Sequence, residues 1–362
     1  MAPKAATASP PAGTSASRKA PSAPRGAPAA PRPETPPGAG GRRTYAALDL
    51  GTNNCRLLIA RPAPDGFVII DAFSRIVRLG EGLATSGRLS DAAIERAISA
   101  LSICAEKLKR RHVSLVRSVA TEACRRAANG RQFVERVYRE TGIALDIIPP
   151  QEEARLAVLG CQALLEAGDG PALIFDIGGG STELVLIDTS GPEPEILDWY
   201  SAPWGVVSLT ESIAAASPGD RAGHLAAYEA MRARVADAFA GFAATLPRGQ
   251  ARAPRLMGTS GTVTTLASLH LGLNAYDRRA VDGLVVPADS MRAISRRLAG
   301  LTIPERAQLP CIGQERADLV VAGCAILETI LDLWPAERLG VADRGIREGI
   351  LRALIARDGH YS

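Results

Sequence analysis

The 362-residue sequence lacks the features that define several large classes of protein. No run of about 18 apolar residues is present, so we expect no helix that spans a membrane. The six cysteines are far apart and form no C-x-x-C pair, which gives no indication of a zinc knuckle or a disulfide framework. Only four histidines occur, and none has the H-E-x-x-H spacing of a metalloprotease.

An excess of positive charge is absent from most of the chain. Residues 1–43 carry a net charge of +6, whereas the remaining residues carry −2, so we expect no nucleic-acid binding by the folded part. Only four of the 42 basic residues are lysine. The arginine excess is explained either by codon composition or by phosphate recognition, for which the planar guanidinium is well suited.

Residues 1–43 contain ten of the 25 prolines and no aromatic residue, leucine, isoleucine or valine. Such a segment cannot bury enough apolar surface to offset its loss of conformational entropy, so we predict a disordered basic tail. It also lacks the apolar core of a secretory signal. Together with the unpaired cysteines, this leads us to expect a cytoplasmic protein.

Two stretches of the chain open in the same way. Residues 45–50 predict an apolar strand, followed by a glycine-containing turn and a second strand, and residues 172–188 repeat this pattern at an offset of 127. Strands and helices alternate elsewhere, which is typical of an α/β fold. We therefore predict two domains with a cleft between them, at residues 44–168, completed by a helix at 345–357, and at residues 169–344.

Three glycine-rich turns each follow a short apolar strand. Glycine allows successive backbone N–H groups to converge on an anion, and hydroxyl groups add further donors. Any one of these turns could equally be an ordinary hairpin. Neither a P-loop nor a dinucleotide-binding sequence is present. The candidate phosphate-binding residues are Gly51, Thr52, Asn53, Gly178, Gly179, Gly180, Ser181, Gly258, Thr259 and Ser260.

Carboxylates lie beside two of these turns, at Asp49, Asp176 and Glu183. Phosphate esters usually bind with Mg²⁺, which takes one or two carboxylates and keeps several waters. These residues are therefore candidate Mg²⁺ ligands. The alternative is that the two aspartates cap their own turns.

Two further charged residues are candidates for chemistry on a phosphate. Glu153 lies in the first turn of a predicted helix at the junction of the repeated halves, where it could activate water. Acids are also common there simply because they complement the helix dipole. Arg125 follows a predicted strand end and could bind a phosphate oxygen, or it could belong to a solvated helix face.

With these residues identified, the sequence resembles the exopolyphosphatase / guanosine pentaphosphate phosphohydrolase family, in a short form without the C-terminal HD-type domain. The resemblance extends from about Tyr45 to Leu354. It is carried by six motifs in order: Asp49-Leu-Gly-Thr-Asn, Ala120-Thr-Glu-Ala-Cys-Arg125, Glu152-Glu-Ala-Arg-Leu156, Asp176-Ile-Gly-Gly-Gly-Ser-Thr-Glu183, Gly258-Thr-Ser-Gly-Thr262 and Gly345-Ile-Arg-Glu-Gly349.

The resemblance implies an α/β, two-domain, actin-like ATPase (ribonuclease H-like) fold with an inter-domain cleft. It also implies a homodimer that hydrolyses a terminal phosphoanhydride of polyphosphate or guanosine pentaphosphate with Mg²⁺. By position, Glu153 would activate water and Arg125 would bind a phosphate oxygen. Asp176 and Glu183 would help to hold the metal.

Two departures and two alternative functions accompany this resemblance. Pro149 and Pro150 stand where the family often has Ser-Gly, which removes amide donors, and Asn54 replaces a frequent serine. One alternative is an ATP-dependent kinase or ATPase of the same superfamily, with residues 258–262 as the local candidate for an adenosine pocket. The other is a non-catalytic alarmone-binding protein.

Overall fold

The computed structural model describes residues 43–64, 66–165, 171–191, 194–213, 220–245 and 254–359. The predicted tail at residues 1–43 lies outside these ranges, except for Arg43. Within them, no helix is both long and apolar enough to pass through a lipid bilayer.

Five strands form the first sheet, in the spatial order β3-β2-β1-β4-β5. They are Tyr45–Leu50 (β1), Asn54–Ala63 (β2), Gly66–Ile76 (β3), Leu115–Ala120 (β4) and Asp146–Ile147 (β5). The first three strands are antiparallel neighbours, and β1, β4 and β5 run parallel. The central strand β1 is apolar along almost its whole length because helices cover both faces of the sheet.

Five α-helices belong to the first half of the described chain. They are Leu83–Ser86 (α1), Asp91–Arg110 (α2), Glu122–Arg126 (α3), Gly130–Thr141 (α4) and Pro150–Cys161 (α5), with a 3₁₀ turn at Gln162–Leu164. The hydroxyl of Ser90 accepts a hydrogen bond from the N–H of Ala93 and so caps α2, as its position predicts.

A second sheet repeats the first. Its strands are Ala172–Ile177 (β6), Thr182–Asp188 (β7), Glu195–Ala202 (β8), Arg255–Thr259 (β9), Val285–Pro287 (β10) and Arg338–Ala342 (β11), in the order β10-β11-β9-β6-β7-β8. An antiparallel β6-β7-β8 meander and the parallel strands β9 and β11 reproduce the arrangement of the first sheet. The internal repeat is therefore confirmed.

The remaining helices are Val206–Ser212 (α6), Arg221–Thr245 (α7), Gly261–His270 (α8), Arg278–Val281 (α9), Ala288–Ala299 (α10), Ile303–Ala307 (α11), Val320–Leu333 (α12) and Ile346–Arg357 (α13). We call the first sheet with α1–α4 the first lobe, and the second sheet with α6–α12 the second lobe. The predicted domain boundaries stay a prediction.

Helices α5 and α13 lie between the two sheets. Leu156 of α5 packs with α13 on the first sheet, whereas Ala154 and Val158 of α5 pack on the second. The helices approach so closely that a methyl group on Gly160 would lie 2.0 Å from the carbonyl oxygen of Gly345. Only glycine allows this contact, which fixes α5 where its first turn faces the cleft.

Candidate active site

A cleft between the lobes brings most of the predicted site residues together. Its walls include Asp49, Gly51, Thr52, Asn53, Glu153, Asp176, Gly178, Gly179, Gly180, Ser181, Glu183 and Ser260. Thr259 lines a smaller adjoining cavity, which shares Asp49 and Asp176 with the cleft. Arg125 and Gly258 line neither cavity.

Equivalent positions in the two hairpins carry different charges. Asp49 on β1 is the register partner of Arg56 on β2, and Asp176 on β6 is the register partner of Glu183 on β7. Both pairs obey the offset of 127, and register partners project from the same face of a sheet. One wall of the cleft therefore carries a carboxylate and a guanidinium group, and the other wall carries two carboxylates.

In the first glycine-rich turn, at residues 51–54, two carbonyl groups point away from the cleft. The oxygen of Thr52 accepts a hydrogen bond from the N–H of Gly80 at 2.9 Å. The oxygen of Asn53 accepts from the N–H groups of Val77 and Arg78, at 2.8 and 3.0 Å. Because N–H and C=O point in opposite directions in a trans peptide, the N–H groups that follow these carbonyls face the cleft.

Helix α6 holds the carbonyl groups of the second glycine-rich turn, at residues 178–181, away from the cleft in the same way. The N–H groups of Val206 and Val207 donate to the first two carbonyls of residues 178–180, at 2.9 and 2.8 Å, and the hydroxyl of Ser208 donates to the third at 2.9 Å. Three successive N–H groups, those of residues 179–181, therefore point the other way. Convergent N–H groups of this kind form an anion-binding nest.

Glycine is required where the two turns meet. A methyl group on Gly179 would lie 2.9 Å from Cβ of Thr52 and 3.0 Å from the backbone nitrogen of Asn53. A methyl group on Gly180 would lie 2.7 Å from the hydroxyl oxygen of Thr52. The run of glycines thus lets both nests face the same small volume.

The third predicted phosphate turn contributes only in part. Gly258 lies inside β9, and a methyl group there would lie 2.6 Å from the ring of Phe175, so this glycine permits packing rather than phosphate contact. Ser260 caps α8 by accepting from the N–H of Val263 at 3.4 Å. Its φ of 137° is strained for a serine, as is often found at functional sites.

Glu153 is a buried acid in the first turn of α5, with a side chain 8% exposed. Pro150 occupies the first position of this helix, where a missing N–H costs nothing. The departure from the family pattern is therefore compatible with the helix. Burial raises the pKa of Glu153 well above its usual value, and the charge of Glu183 raises it further, whereas Arg125 opposes both.

Arg125 is committed to partners within the protein. Its Nε and Nη2 donate to Glu122 at 3.0 and 2.6 Å, and its Nη1 donates to the carbonyl oxygen of Ile148 at 2.7 Å. Both Nη atoms also donate to Oε2 of Glu153, at 3.2 and 3.3 Å. Five contacts use its five N–H groups, so the solvated-face alternative is wrong, and the predicted phosphate contact would require breaking one of them.

Acidic groups in the cleft raise one another's pKa. Burial, followed by the charge of Glu183, raises the pKa of Asp176 to about 7. Burial also raises the pKa of Asp49, against the charges of Arg56 and Arg347. In the part of the chain that the structure describes, neither Asp49 nor Asp176 accepts a hydrogen bond from the backbone of its own turn, and Oδ1 of Asp49 accepts none at all. The turn-capping alternative is therefore wrong.

Three arginines that the motif analysis did not assign complete the site. Nη2 of Arg56 and Nη1 of Arg316 would each lie 3.8 Å from a methyl group on Gly261, at the first residue of α8. Arg316 donates to the hydroxyl of Thr265 at 3.3 Å. Arg56 and Arg347 have no ion pair with any carboxylate in the described ranges, and Arg347 lines the adjoining cavity. Arg56 and Arg316 line the cleft that holds the nests, where their guanidinium groups can reach a bound anion.

Comparison with known proteins decides the family. A profile of the Ppx/GppA phosphatase family matches residues 58–357. This chain belongs to the Ppx/GppA phosphatase family. It is 34% identical over 322 residues to exopolyphosphatase 2 of Mycobacterium tuberculosis, covering 85% of this chain and 98% of that relative.

Other members of the Ppx/GppA family are similarly related. The chain is 30% identical over 319 residues to the guanosine-5'-triphosphate,3'-diphosphate pyrophosphatase of Aeromonas salmonicida, covering 87% of this chain and 60% of that protein. The crystal structure of the Aquifex aeolicus Ppx/GppA family member superposes with a TM-score of 0.72 at 29% identity, covering 88% and 99% of the two chains. The predicted actin-like, two-lobed α/β fold is thereby confirmed.

The three arginines of this Ppx/GppA site differ in how far the sequence indicates a functional role for them. Arg56 could have been found, because the offset of 127 places it at the position of Glu183. Arg347 lies inside a motif that carried the resemblance but received no role. Arg316 precedes α12 and belongs to none of the motifs that carried the resemblance, so the sequence indicates no role for it.

Proposed function

We propose that this Ppx/GppA phosphatase hydrolyses the terminal phosphoanhydride bond of inorganic polyphosphate, of guanosine pentaphosphate, or of both. The observation that carries the proposal is the arrangement of two N–H nests around one cleft that also holds a buried carboxylate, Glu153. Nests bind the phosphates, and a carboxylate beside them can take a proton from water. The names of the relatives agree with both substrates.

Glu153 is the proposed general base. A base works best when its pKa lies near the working pH, and burial among carboxylates moves the pKa of Glu153 in that direction. Arg125 limits this rise and fixes the orientation of the carboxylate through two N–H groups. Water held by Glu153 attacks the terminal phosphorus, its proton passes to the carboxylate, and the bond to the remaining phosphate chain breaks.

Phosphate binding and charge neutralisation come from the two turns and from Arg56, Arg316 and Arg347. Phosphoryl transfer depends mainly on positioning and on stabilising charge at the oxygens of the transferred group. The N–H groups of residues 53, 54 and 179–181 supply fixed dipoles, and Arg56, Arg316 and Arg347 supply positive charge. In this proposal Arg125 acts on Glu153, and the three arginines take the phosphate-binding role.

The cleft suits a hard divalent cation such as Mg²⁺. Oδ1 of Asp49 and Oδ1 of Asn53 are buried, and no hydrogen-bond donor in the described part of the chain reaches them. Oε1 of Glu183 already accepts from the hydroxyls of Ser181 and Ser201, at 2.7 and 2.9 Å. No group of three acidic, histidine or cysteine side chains in the described ranges converges as a metal site.

Mg²⁺ would therefore be held by one or two carboxylates, Asp49 through its buried Oδ1 and Asp176 in the same cleft, together with water and substrate oxygens. When bound, it would neutralise charge on the phosphates. Two hydroxyls occupy Oε1 of Glu183, and the predicted place of this residue among the metal ligands stays a prediction. A homodimer and a cytoplasmic location stay predictions.

Phosphate release from long-chain polyphosphate and from guanosine pentaphosphate, measured separately with Mg²⁺, tests the proposal. Glu153→Gln should abolish most release while leaving substrate binding intact. Glu152→Gln is a matched control, because this neighbouring acid pairs with Arg117 and Arg155 outside the cleft. Binding without release by the wild type would favour an alarmone-binding protein, and release from ATP alone would favour an ATPase.

A further inference from the structure

One segment of the first lobe supports the first phosphate turn. Val77, Arg78 and Gly80 donate their N–H groups to the carbonyls of Thr52 and Asn53. Any displacement of this segment therefore changes the direction of the N–H groups that face the cleft.

The same segment crosses to the second lobe. The guanidinium of Arg78 donates to both carboxylate oxygens of Asp318, at 2.8 and 3.2 Å, and to the carbonyl oxygen of Glu315 at 3.1 Å. Close by, the N–H of Gly82 donates to the carboxylate of Glu211 in α6 at 2.8 Å. A fork-to-fork arginine–carboxylate pair fixes both distance and orientation.

The backbone of Arg78 is held independently of its side chain. Its φ of 46° is left-handed, and Arg96 donates to the carbonyl oxygens of Val77 and Arg78 at 2.8 and 3.1 Å. The backbone can thus keep supporting the turn when the side chain is removed, so the two roles can be separated by mutation.

Asp318 lies close in sequence to the cleft residues of the second lobe. Arg316 is two residues before it, and Leu319 and Val320, which follow it, also line the cleft. The Arg78–Asp318 pair therefore joins the support of the first phosphate turn to the segment that carries Arg316.

We propose that Arg78 and Asp318 are positioning residues that latch the two lobes together, so that Arg316 and the first phosphate turn act on the same anionic substrate. The proposal rests on the proposed function only in taking that substrate to be a phosphate chain. Breaking the latch populates an open cleft. The apparent affinity for substrate then falls in proportion to the fraction of molecules that remain closed. Saturating substrate restores the closed form.

The latch predicts a higher KM at nearly unchanged kcat. Arg78→Gln and Asp318→Asn should each raise KM about threefold to tenfold, and the double variant should be no worse than either single one. Arg78→Lys keeps the charge without the forked guanidinium, so its KM should lie between those of the wild type and Arg78→Gln. The charge exchange, Arg78→Asp combined with Asp318→Arg, should bring KM part of the way back to the wild-type value. Arg136→Gln is the control, because it breaks exposed ion pairs within the first lobe.

Binding of inorganic tripolyphosphate to variants in the Glu153→Gln background, measured by calorimetry, separates this proposal from the proposed function. Weaker binding in the Arg78 and Asp318 variants supports the latch even if the wild type releases no phosphate. Unchanged KM and unchanged tripolyphosphate affinity in both variants, or strictly additive effects, would overturn it. If Arg78→Gln does not fold, Arg78→Gly removes the side chain at a φ that glycine tolerates, and Asp318→Asn tests the same pair from the other side.

Discussion

Replacement of Asp176 by asparagine should make the protein more stable at alkaline pH while impairing its function. The folded-state pKa of Asp176 is about 7, against 3.8 for a free aspartate. Between these two pH values the folded protein holds a proton that the unfolded chain has released, so stability falls as the pH rises through this window. Above this pH window, the ionised side chain of Asp176 lowers the free energy of unfolding by the full amount that the two pKa values imply.

The size of this effect follows from the same two values. They correspond to about 4 kcal/mol. Water in the cleft screens the charge, since the side chain lies at the cleft wall, and we expect about half, ~2 kcal/mol. For a protein of this length, that is a rise in Tm of about 3 °C.

Thermal unfolding of wild type and Asp176→Asn from pH 4 to pH 8, in EDTA without phosphate, measures the difference directly. The two proteins should agree near pH 4 and diverge towards pH 8, and added Mg²⁺ should stabilise the wild type more than the variant. Asp188→Asn is the control, because Ser190 lowers the pKa of Asp188 below its free value of 3.8, so this variant should differ from the wild type by a nearly constant amount over the same pH range. Parallel pH profiles for wild type and Asp176→Asn would refute the electrostatic argument.

Two further predictions concern the nests and the cations. Gly205→Ala should reduce turnover about tenfold or more, because a methyl group there would lie 2.5 Å from the backbone of Gly179 and displace α6 from the second turn. In the control Gly241→Ala in α7, the added methyl group meets no other atom, so this variant should be active and slightly more stable. Wild-type kinetics of Gly205→Ala would contradict the role of α6. Arg56→Gln should raise KM about tenfold or more, in steady-state assays that use Arg61→Gln on the same strand as the control. Equal KM values for these two variants would remove Arg56 from the site.

The internal repeat made much of the fold and the site predictable. Asp49 and Asp176 stand at equivalent strand ends, and the glycines beside them indicate turns that expose N–H groups. Topology then brings both turns to one cleft, because β1 and β6 occupy the same place in their sheets. Local sequence was enough wherever a strand, a turn and a charge coincide.

What the sequence did not predict depends on contacts between distant segments. The strand β11 has only five residues, and the eight-residue strand β8 lacks clear alternation of apolar and polar residues. Helix α6 has seven residues, two of them valine at its start, which favours a strand locally. The local sequence favours helices over residues 152–166 and 315–333, whereas in the structure α5 ends at Cys161 and α12 begins at Val320.

Side-chain partners were harder still to predict. Nothing near Arg125 in the sequence indicates that Glu153 accepts two of its hydrogen bonds, since the two residues are brought together by α3 and α5. The packing role of Gly258 likewise depends on Phe175 of the neighbouring strand. Such partners follow from tertiary packing, which overrides what a motif suggests locally.

In the proposed mechanism, Glu153 activates water for attack on a phosphate chain bound by the two nests. Its most direct test compares phosphate release and substrate binding for wild type, Glu153→Gln and Glu152→Gln. We expect Glu153→Gln to lose about a hundredfold or more of kcat while binding substrate normally, with Glu152→Gln close to wild type. Undiminished release by Glu153→Gln would contradict the account.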